Sequence, residues 1–451
     1  MTGPAADERR AEGKALREVA PLEAHTGWKA GSDRRDPIQI LNESNVGRIP
    51  PLIPIRHGRM MQSPLTFFRG AACIMSADLA TTPTSGLRVQ ACGDAHLLNF
   101  GGFATPERNI VFDINDFDET LPAPWEWDVK RLAASVVIAG QYLGLPETAY
   151  RDAASATVCS YREHMANYAS MRALQVWYDV IRAEDVVSLV DESGRAQLVR
   201  KIATAAESSS PEFVFPNLAE QRGAKPRIKD DPPRVFHPTA KWMLGQARGF
   251  LDQLTQYRTS LPEHVRVLLD RYRLCGVAAK VAGIGSVGMA CGIGLFMAAD
   301  DDPLFLQIKQ AKASVLEPYV GESVYANHGR RVVDGQHLTQ SANDIFLGWF
   351  TSPNGGQFYV RQLRDAKICA LIEDFDANKL RTYGQVCGWA LAKAHARSGD
   401  PAKISGYIGA SSAIDDAIRE FAVGYADQNQ RDYRAFVTAV RVGRIKAIVE
   451  T

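Results

Sequence analysis

Residues 93–119 read GDAHLLNFGGFATPERNIVFDINDFDE and combine a polar loop with a predicted β-hairpin. The preceding residues begin as a short strand that breaks at Gly93, and residues 100–116 alternate around the turn ATPER, which is typical of a hairpin. The hairpin would return Asp116 and Asp118 to the end where Asp94 and Asn99 lie. Oxygen ligands at this density suit Mg²⁺, and a further carboxylate remains to orient a hydroxyl group or accept its proton. A plain turn cluster is the alternative, because turns also favour Asp, Asn and Gly.

The bulk composition indicates a soluble globular protein. Of 451 residues, 46% are hydrophobic and 23% are charged, and the net charge of +1 argues against a broad nucleic-acid surface. The first thirty residues contain no apolar segment of the secretory type. The seven cysteines show no metal-binding spacing, which favours reduced thiols. We therefore predict a cytoplasmic protein that binds neither nucleic acid nor membrane.

The order of predicted elements divides the chain into four parts. We expect a flexible or loosely helical leader (1–35), a large helical lobe (36–274), a small β-rich lobe (275–365) and closing helices (366–451). Apolar periodicity predicts helices over 124–144, 327–350, 377–398 and 411–445. The proline-rich segment 207–238 is expected to be a long loop or a lid. The fold class predicted from this order is α+β.

Residues 281–299, VAGIGSVGMACGIGLFMAA, are uncharged and admit three interpretations. Five glycines in nineteen residues would make a poor membrane helix. GIGSVG (283–288) fits the glycine pattern of a dinucleotide-binding turn, but such a turn should open a helix, and the continuation here is strand-like. The third interpretation, a strand–glycine loop–strand hairpin over a nucleotide, fits best, and a tight hairpin without a ligand stays open.

Asp94-x4-Asn99 followed by a hairpin and Asp116-Phe117-Asp118 resembles the catalytic and metal loops of protein-kinase-like enzymes, closest to the aminoglycoside- and toxin-type branches. The resemblance implies that Asp94 is the base that positions the acceptor. It implies Mg²⁺ ligation by Asn99 and Asp116, with Asp118 as an additional ligand. Asp128 in WEWDVKRLA resembles the helix aspartate that braces the catalytic loop from below. His96 stays open between a catalytic contact to phosphate or metal and local packing.

The same resemblance extends to residues 275–365 as a kinase small lobe. It implies that the glycine loop covers the phosphates of ATP through Gly283, Gly285, Ser286 and Gly288. Lys309 on the third strand would bind the α- and β-phosphates, with Lys312 as the rival. The backbone of Gln362, Leu363 and Arg364 would face the adenine. The predicted helix 327–350 contains no glutamate to pair with the lysine, which departs from the kinase pattern.

These parts occur in the same cyclic order as the elements of a protein kinase, but the chain begins at a different element. We therefore predict a circularly permuted, two-lobed, protein-kinase-like fold. Near its full length the chain also resembles the bacterial domain-of-unknown-function family 2252, through phrases such as SPLTFFRG, GDAHLLNFG and QIKQAKASVLEPY. The implied function is ATP/Mg²⁺-dependent phosphoryl transfer to an unidentified small-molecule or protein hydroxyl. Nucleotidyl (AMP) transfer and a nucleotide-binding pseudokinase are the alternatives. Upstream, Arg56, Arg59 and Arg69 are either anion-binding or structural.

Overall fold

The computed structural model describes residues 5–207, 215–216, 218–222, 225–232, 234–237, 250–281, 283–299, 302–363 and 367–450. They form an α+β fold in which every strand pairing is antiparallel. No helix in this part of the chain combines the length and apolarity needed to cross a membrane.

The α-helices of the described ranges are, in chain order, α1 (Ala6–Ala15), α2 (Pro37–Glu43), α3 (Ile53–Met60), α4 (Pro64–Gly70), α5 (Ala72–Leu79), α6 (Trp125–Tyr142), α7 (Glu147–Tyr168), α8 (Ala173–Tyr178), α9 (Ala183–Leu189), α10 (Glu192–Glu207), α11 (Phe250–Ser260), α12 (Glu263–Leu269), α13 (Glu317–Val320), α14 (His328–Thr339), α15 (Ala377–Ser398), α16 (Pro401–Ile408) and α17 (Ala413–Arg441). The centre of the helical body is α6, which packs against α7, α15 and α17. It is buried on all sides from Trp125 to Gly140, as expected of a helix without a solvent face.

The strands are β1 (Arg88–Ala91), β2 (Phe100–Ala104), β3 (Ile110–Ile114), β4 (Leu121–Pro124), β5 (Ile181–Arg182), β6 (Ala219–Arg222), β7 (Lys225–Ile228), β8 (Val235–Phe236), β9 (Arg273–Lys280), β10 (Cys291–Met297), β11 (Pro303–Ala311), β12 (Gly348–Thr351), β13 (Gln357–Gln362) and β14 (Lys367–Ile368). The largest sheet has the order β12-β13-β11-β10-β9-β8, and a second sheet has the order β14-β2-β3-β5. β1 pairs with β4, and β6 pairs with β7. Helix α14 follows β11 in the chain and packs on β11, β12 and β13.

The predicted hairpin at 100–116 and the predicted helices at 124–144, 377–398 and 411–445 are present as β2–β3, α6, α15 and α17. The single helix predicted over 327–350 is wrong. Helix α14 ends at Thr339, and residues 348–351 form β12, which pairs with β13. The apolar run IFLGWF fits a helical period, but its aromatic side chains pack in the sheet, where Phe350 stacks on Phe358 at a centroid distance of 5.1 Å. Tertiary pairing therefore overrides the local pattern.

The amino-terminal segment, predicted to be a flexible or loosely helical leader, contains helix α1 and packs on the helical body. Helix α1 packs on α16, and the His25 ring nitrogen Nε2 lies 2.7 Å from the Tyr407 hydroxyl. Arg34 bridges Asp78 and Asp432 with N–O distances of 2.8 and 2.6 Å. The segment is polar in sequence, so the contacts that order it come from distant parts of the chain. The predicted loop 207–238 lies partly outside the described residues, which show β6, β7 and β8 there.

Gly93 is required where the chain leaves β1 for the polar loop. Its φ is +79°, and a Cβ atom at this position would lie 2.5 Å from the carbonyl oxygen of Glu119. We expect Gly93→Ala to lower the free energy of unfolding by about 3 kcal/mol, because it adds a backbone clash to the cost of a left-handed conformation.

Gly86 is the matched control for this substitution. Its φ is +82°, and no atom lies within 4 Å of the position that a methyl group would take. Gly86→Ala should therefore cost only the conformational penalty, about 1 kcal/mol. Chemical denaturation of both variants measures the difference, and equal losses would show that the contact with Glu119 does not constrain the loop.

Candidate functional site

One cavity of about 610 Å³ lies between the β1–β4 region and the β9–β10 loop. Its lining includes Asp94, His96, Asn99, Asp116 and Asp118 from the first half of the chain. It also includes residues Gly283, Gly285 and Ser286 of the glycine loop. The two predicted motifs, which are distant in sequence, thus face each other across one cleft.

Asp94 follows β1 and is held by a bidentate contact from helix α6. Its Oδ1 accepts hydrogen bonds from Arg131 Nη2 and, at 2.8 Å, from Arg131 Nε. The Arg131 guanidinium also stacks 4.3 Å from the centre of the Phe68 ring. Burial raises the pKa of Asp94 to about 7, although the Arg131 charge acts in the opposite direction. The carboxylate is therefore fixed in position, and its basicity is greater than that of an ordinary aspartate.

His96 lies beside this carboxylate, with its Nε2 3.8 Å from Asp94 Oδ2. Burial lowers the pKa of His96 far below its usual value, and nearby Arg69 and Arg131 act in the same direction. The ring is therefore neutral at physiological pH and cannot supply positive charge to a phosphate. The prediction of a catalytic role and the prediction of local packing both stay open for this residue.

Asn99 and Asp116 occupy the ends of the β2–β3 hairpin. Asn99 Nδ2 donates to the Asp94 carbonyl at 2.8 Å, so its amide oxygen is the atom that can coordinate a cation. The Asn115 N–H donates a hydrogen bond to the backbone carbonyl of Asn99 at 2.8 Å, which connects the two ends of the hairpin. Among the described residues, no three His, Cys, Asp or Glu side chains form a metal-binding group. A site here would resemble Mg²⁺ sites that use one or two protein oxygens together with phosphate oxygens and water.

Lys309 forms an ion pair with Asp118, in place of the helix glutamate that the kinase pattern would supply. Its Nζ lies 2.7 Å from Asp118 Oδ2 and 3.8 Å from Asp116 Oδ1. The Tyr359 hydroxyl donates to the other oxygen of Asp118, and Tyr359 lies opposite Lys309 in the β11–β13 register. Burial opposes the charge on Lys309, but the two carboxylates raise its pKa well above the usual value. The lysine is therefore charged and directed at Asp116 and Asp118.

Helix α14 contacts the segment that carries Asp116 and Asp118 through an arginine. The buried Arg331 donates from Nη1 to the Thr120 carbonyl and from Nη2 to the carbonyls of Asp118 and Lys312, both at 2.8 Å. Although helix α14 contains no glutamate, Arg331 therefore connects it to the site. Arg331 fixes the backbone after the DFD triplet, and Asp118 provides the negative charge for Lys309.

Asp128 on α6 braces the polar loop, as the sequence predicts. Its Oδ2 accepts the Cys92 N–H at 2.6 Å, and its Oδ1 accepts the Gly93 N–H at 3.0 Å. His395 on α15 lies behind it, with Nε2 3.3 Å from Asp128 Oδ2 and Nδ1 2.9 Å from the Tyr161 hydroxyl. This buried chain of contacts connects the loop to three helices of the body, α6, α15 and α7.

We expect Asp128→Asn to lower the free energy of unfolding by about 2 kcal/mol, because an amide NH₂ would face a buried backbone donor. Asp152→Asn is the control, since Asp152 is exposed and makes a surface ion pair with Arg381 at 2.8 Å. That substitution should cost about 0.5 kcal/mol or less. Thermal and chemical unfolding of the pair measure the difference, and equal small losses would contradict a bracing role.

The glycine loop is held by Arg59 on α3 and by the connection between α2 and α3. Arg59 donates to the Gly283 carbonyl at 2.6 Å, and Arg48 donates to the Val287 carbonyl at 2.6 Å. The N–H of Ile49 donates to the Gly288 carbonyl at 2.7 Å. Gly283 and Gly288 have φ values of +73° and +88°, which explains why glycine occupies these positions. Gly288 supports the loop, whereas Gly283, Gly285 and Ser286 line the cavity.

Gln362 and Leu363 do not reach this cavity. The Gln362 N–H donates to Asp344 Oδ2 at 2.5 Å, and the Leu363 N–H donates to the Phe305 carbonyl at 2.8 Å. Gln362 instead lines a separate cavity of about 230 Å³ together with Phe103 and Leu304. Both backbone donors are used within the protein, so the structure does not place them for an adenine. Arg364 lies outside the described residues.

A model of one protein family matches residues 48–439, which is most of the chain. Its description is "Uncharacterized protein conserved in bacteria (DUF2252)". The chain belongs to the DUF2252 family. No curated protein and no solved structure matches it. The matched span contains both halves of the cavity described above, so the cleft is part of the DUF2252 region of the chain.

Three residues of the site in this DUF2252 chain are not among those predicted from the sequence: Arg131, Arg331 and Tyr359. Arg131 follows Asp128 by three positions on α6, so the helical period places both on the face toward the loop. Arg331 is part of the predicted helix 327–350, but its carbonyl partners come from a distant loop. Tyr359 lies in a predicted strand, and no local signal shows that it faces Lys309.

The three upstream arginines have different roles in the structure. Arg59 is structural, because it pairs with Glu450 at 2.6 Å and holds the glycine loop. Arg56 is buried and donates to neutral partners, Asn45 Oδ1 and the Gly70 carbonyl, both at 2.7 Å. Arg69 lines the cavity, and its Nε is buried without a hydrogen-bond partner among the described residues.

Proposed function

We propose that this chain is an ATP/Mg²⁺-dependent phosphotransferase with a circularly permuted, protein-kinase-like fold. The observation that carries the proposal is the cavity in which Asp94, Asn99, Asp116 and Asp118 face the glycine loop. Lys309, on the third strand of the glycine-loop sheet, reaches this group through Asp118. A carboxylate for the acceptor, oxygen ligands, a glycine loop and a strand lysine are the working parts of kinase-type phosphoryl transfer.

In this proposal the residues act by positioning and by electrostatics. Asp94 accepts or orients the proton of the acceptor hydroxyl, and Arg131 fixes the direction of its carboxylate. The glycine-loop N–H groups cover the phosphates, and Lys309 balances their charge after exchanging its contact with Asp118 for a phosphate oxygen. Arg48 and Arg59 hold the loop through the Val287 and Gly283 carbonyls, so that it stays over the cavity.

The residues present fit ATP and Mg²⁺. The side-chain oxygens of Asn99 and Asp116 would hold the cation together with phosphate oxygens, and Asp118 would join them when Lys309 moves to the phosphates. When bound, the cation neutralises charge on the transferred phosphoryl group. The carboxylate of Asp116 is 38% exposed and lines the cavity, as a ligand that must meet a nucleotide should.

The chain order supports the permuted arrangement. β9, the glycine loop, β10, Lys309 on β11 and helix α14 follow one another as the corresponding parts do in a kinase small lobe. The loop and hairpin that carry Asp94 and Asp116 precede them in the chain, and α15 closes against α6 and α7 after them. Fold stability depends on contacts and not on chain order, so such a permutation is physically allowed.

Labelled ATP tests the reaction class. We expect label from the γ-phosphate of ATP, but not from the α-phosphate, to be transferred by the wild-type chain to a hydroxyl acceptor in a bacterial metabolite extract or to the chain itself. Transfer of the α-label would establish the alternative, AMP transfer. Binding of ATP without transfer of either label would establish a pseudokinase. Failure to bind ATP at all would refute the three functions together.

A further inference from the structure

Four cationic side chains line the cavity without a carboxylate partner: Arg48, Arg56, Arg69 and Lys312. Within the described part of the chain, none of them has a carboxylate oxygen at ion-pair distance, whereas many other arginines there pair with a carboxylate. Cations that are withdrawn from water are normally paired, because burial without a counter-charge is unfavourable. The group therefore lacks its counter-ion within the described protein.

Neutral groups hold three of these cations in place. Lys312 Nζ donates to the Val46 carbonyl at 2.7 Å, and Arg48 donates from Nε to the Ser44 carbonyl at 3.1 Å and from Nη1 to the Val287 carbonyl. Arg56 donates to Asn45 and Gly70, as described above. These contacts orient the side chains but do not neutralise their charges. Arg69 makes no hydrogen bond or ion pair within the described residues, so its guanidinium is available to a ligand in the cavity.

The cations also interact unfavourably with one another. Burial lowers the pKa of Lys312 to about 8, and the charges of Arg48 and Arg56 contribute to the shift. Burial lowers the pKa of Arg56 to about 9, with Arg48 contributing. An acid on this side of the cavity is Glu119, whose Oε2 already accepts the Val315 N–H at 2.7 Å. Burial raises the pKa of Glu119.

The cluster and the proposed nucleotide lysine come from different parts of the fold. Arg48, Arg56 and Arg69 come from the α2–α4 region, and Lys312 follows β11, whereas Lys309 lies within β11 and pairs with Asp118. Arg69 lies on the Asp94 side, because Arg131, which binds the Asp94 carboxylate, also donates to the carbonyl of the adjacent Phe68 at 3.1 Å. A group bound by the cluster would therefore lie next to the proposed acceptor base.

We propose that the acceptor is a small molecule that already carries a phosphate group, and that Arg48, Arg56, Arg69 and Lys312 bind this phosphate beside Asp94. This inference rests on the proposed function, which assigns Asp94 to the acceptor. A phosphate dianion suits the cluster better than a carboxylate, because several guanidinium and ammonium donors can share its oxygens.

Calorimetric titration with inorganic phosphate tests the inference. The full chain is first saturated with Mg²⁺ and the non-hydrolysable ATP analogue AMPPNP, so that the γ-phosphate position is filled. We expect phosphate to bind to this complex, acetate to bind much more weakly, and the double variant R69Q/K312Q to bind phosphate at least about tenfold more weakly. The affinity of the double variant for AMPPNP should stay close to that of the wild type.

The control variant is R258Q/K379Q, which removes two exposed cations that lie away from this cavity and should keep the affinity for phosphate. The single variant R69Q is measured as well, in case the double variant misfolds. Its fold should be preserved, because the Arg69 side chain makes no hydrogen bond within the described structure. Competition between phosphate and AMPPNP, equal binding of acetate, or unchanged phosphate affinity in R69Q/K312Q would overturn the inference. Phosphate binding without any AMPPNP binding would instead refute the nucleotide site and leave only an anion site.

Discussion

Asp94→Asn should lower the rate of ATP turnover by about 10³-fold, the largest effect expected of any single substitution in this chain. The amide keeps the size of the side chain but cannot accept the acceptor proton. Binding of AMPPNP–Mg²⁺ should be nearly unchanged, because Asp94 is assigned to the acceptor and not to the nucleotide. The measurement is ADP release at saturating ATP, combined with a separate binding titration.

Glu107→Gln is the matched control for this substitution. Glu107 lies in the exposed β2–β3 turn of the same hairpin region and does not line the cavity. Its turnover should equal that of the wild type. Because Asp94→Asn also weakens the contact with buried Arg131, turnover is compared well below the melting temperature of each variant. Wild-type turnover in Asp94→Asn would exclude Asp94 as the base.

The Lys309–Asp118 pair gives the second large effect, and the two single substitutions should differ. The Lys309 side chain is 8% exposed and the Asp118 side chain is 29% exposed. Asp118→Ala leaves a buried ammonium and the buried Tyr359 hydroxyl without their nearest acceptor, at a cost of about 3 kcal/mol. Lys309→Met leaves a carboxylate that reaches water and keeps the Tyr359 donor, so it should cost only about 1 kcal/mol.

Lys309→Met is expected to have a large effect on function despite its small effect on stability. Lys309→Met removes the charge assigned to the phosphates, so it should weaken AMPPNP binding and turnover by about 10²-fold. Lys379→Met, which removes an exposed cation elsewhere, should change neither quantity. Denaturation of the two single variants and of the double variant Lys309→Met/Asp118→Ala yields the coupling energy, which we expect to be about 1–2 kcal/mol. Equal stabilities and a coupling energy near zero would contradict the pairing.

The sequence predicts those parts of the site that depend on local chemistry. The strand that breaks at Gly93, the hairpin that returns Asp116 toward Asn99, and the helix that presents Asp128 all follow from turn residues and apolar periodicity. These features are encoded within a few residues of one another. Helix α6 is predictable for the same reason, because its apolar residues recur in the sequence with the helical period.

The rest of the site depends on contacts between distant residues. The partner of Lys309 is Asp118 and not a helix glutamate, and the choice is made by the register that puts Tyr359 beside both. The Gln362 N–H is taken by Asp344, which no local pattern indicates. The strand at 348–351 and the packing of residues 6–34 on the helical body also depend on distant partners. Such pairings are fixed by the whole fold, so a single sequence does not predict them.

Calorimetric titration of AMPPNP into the full chain, with and without Mg²⁺, tests the central claim most directly: the polar loop and the glycine loop form one nucleotide–metal site. We predict Mg²⁺-dependent binding to the wild type, loss of that Mg²⁺ dependence in Asp116→Ala, and wild-type behaviour in the control Asp152→Ala. Absence of AMPPNP binding, or equal Mg²⁺-dependent binding by Asp116→Ala and the wild type, would contradict it.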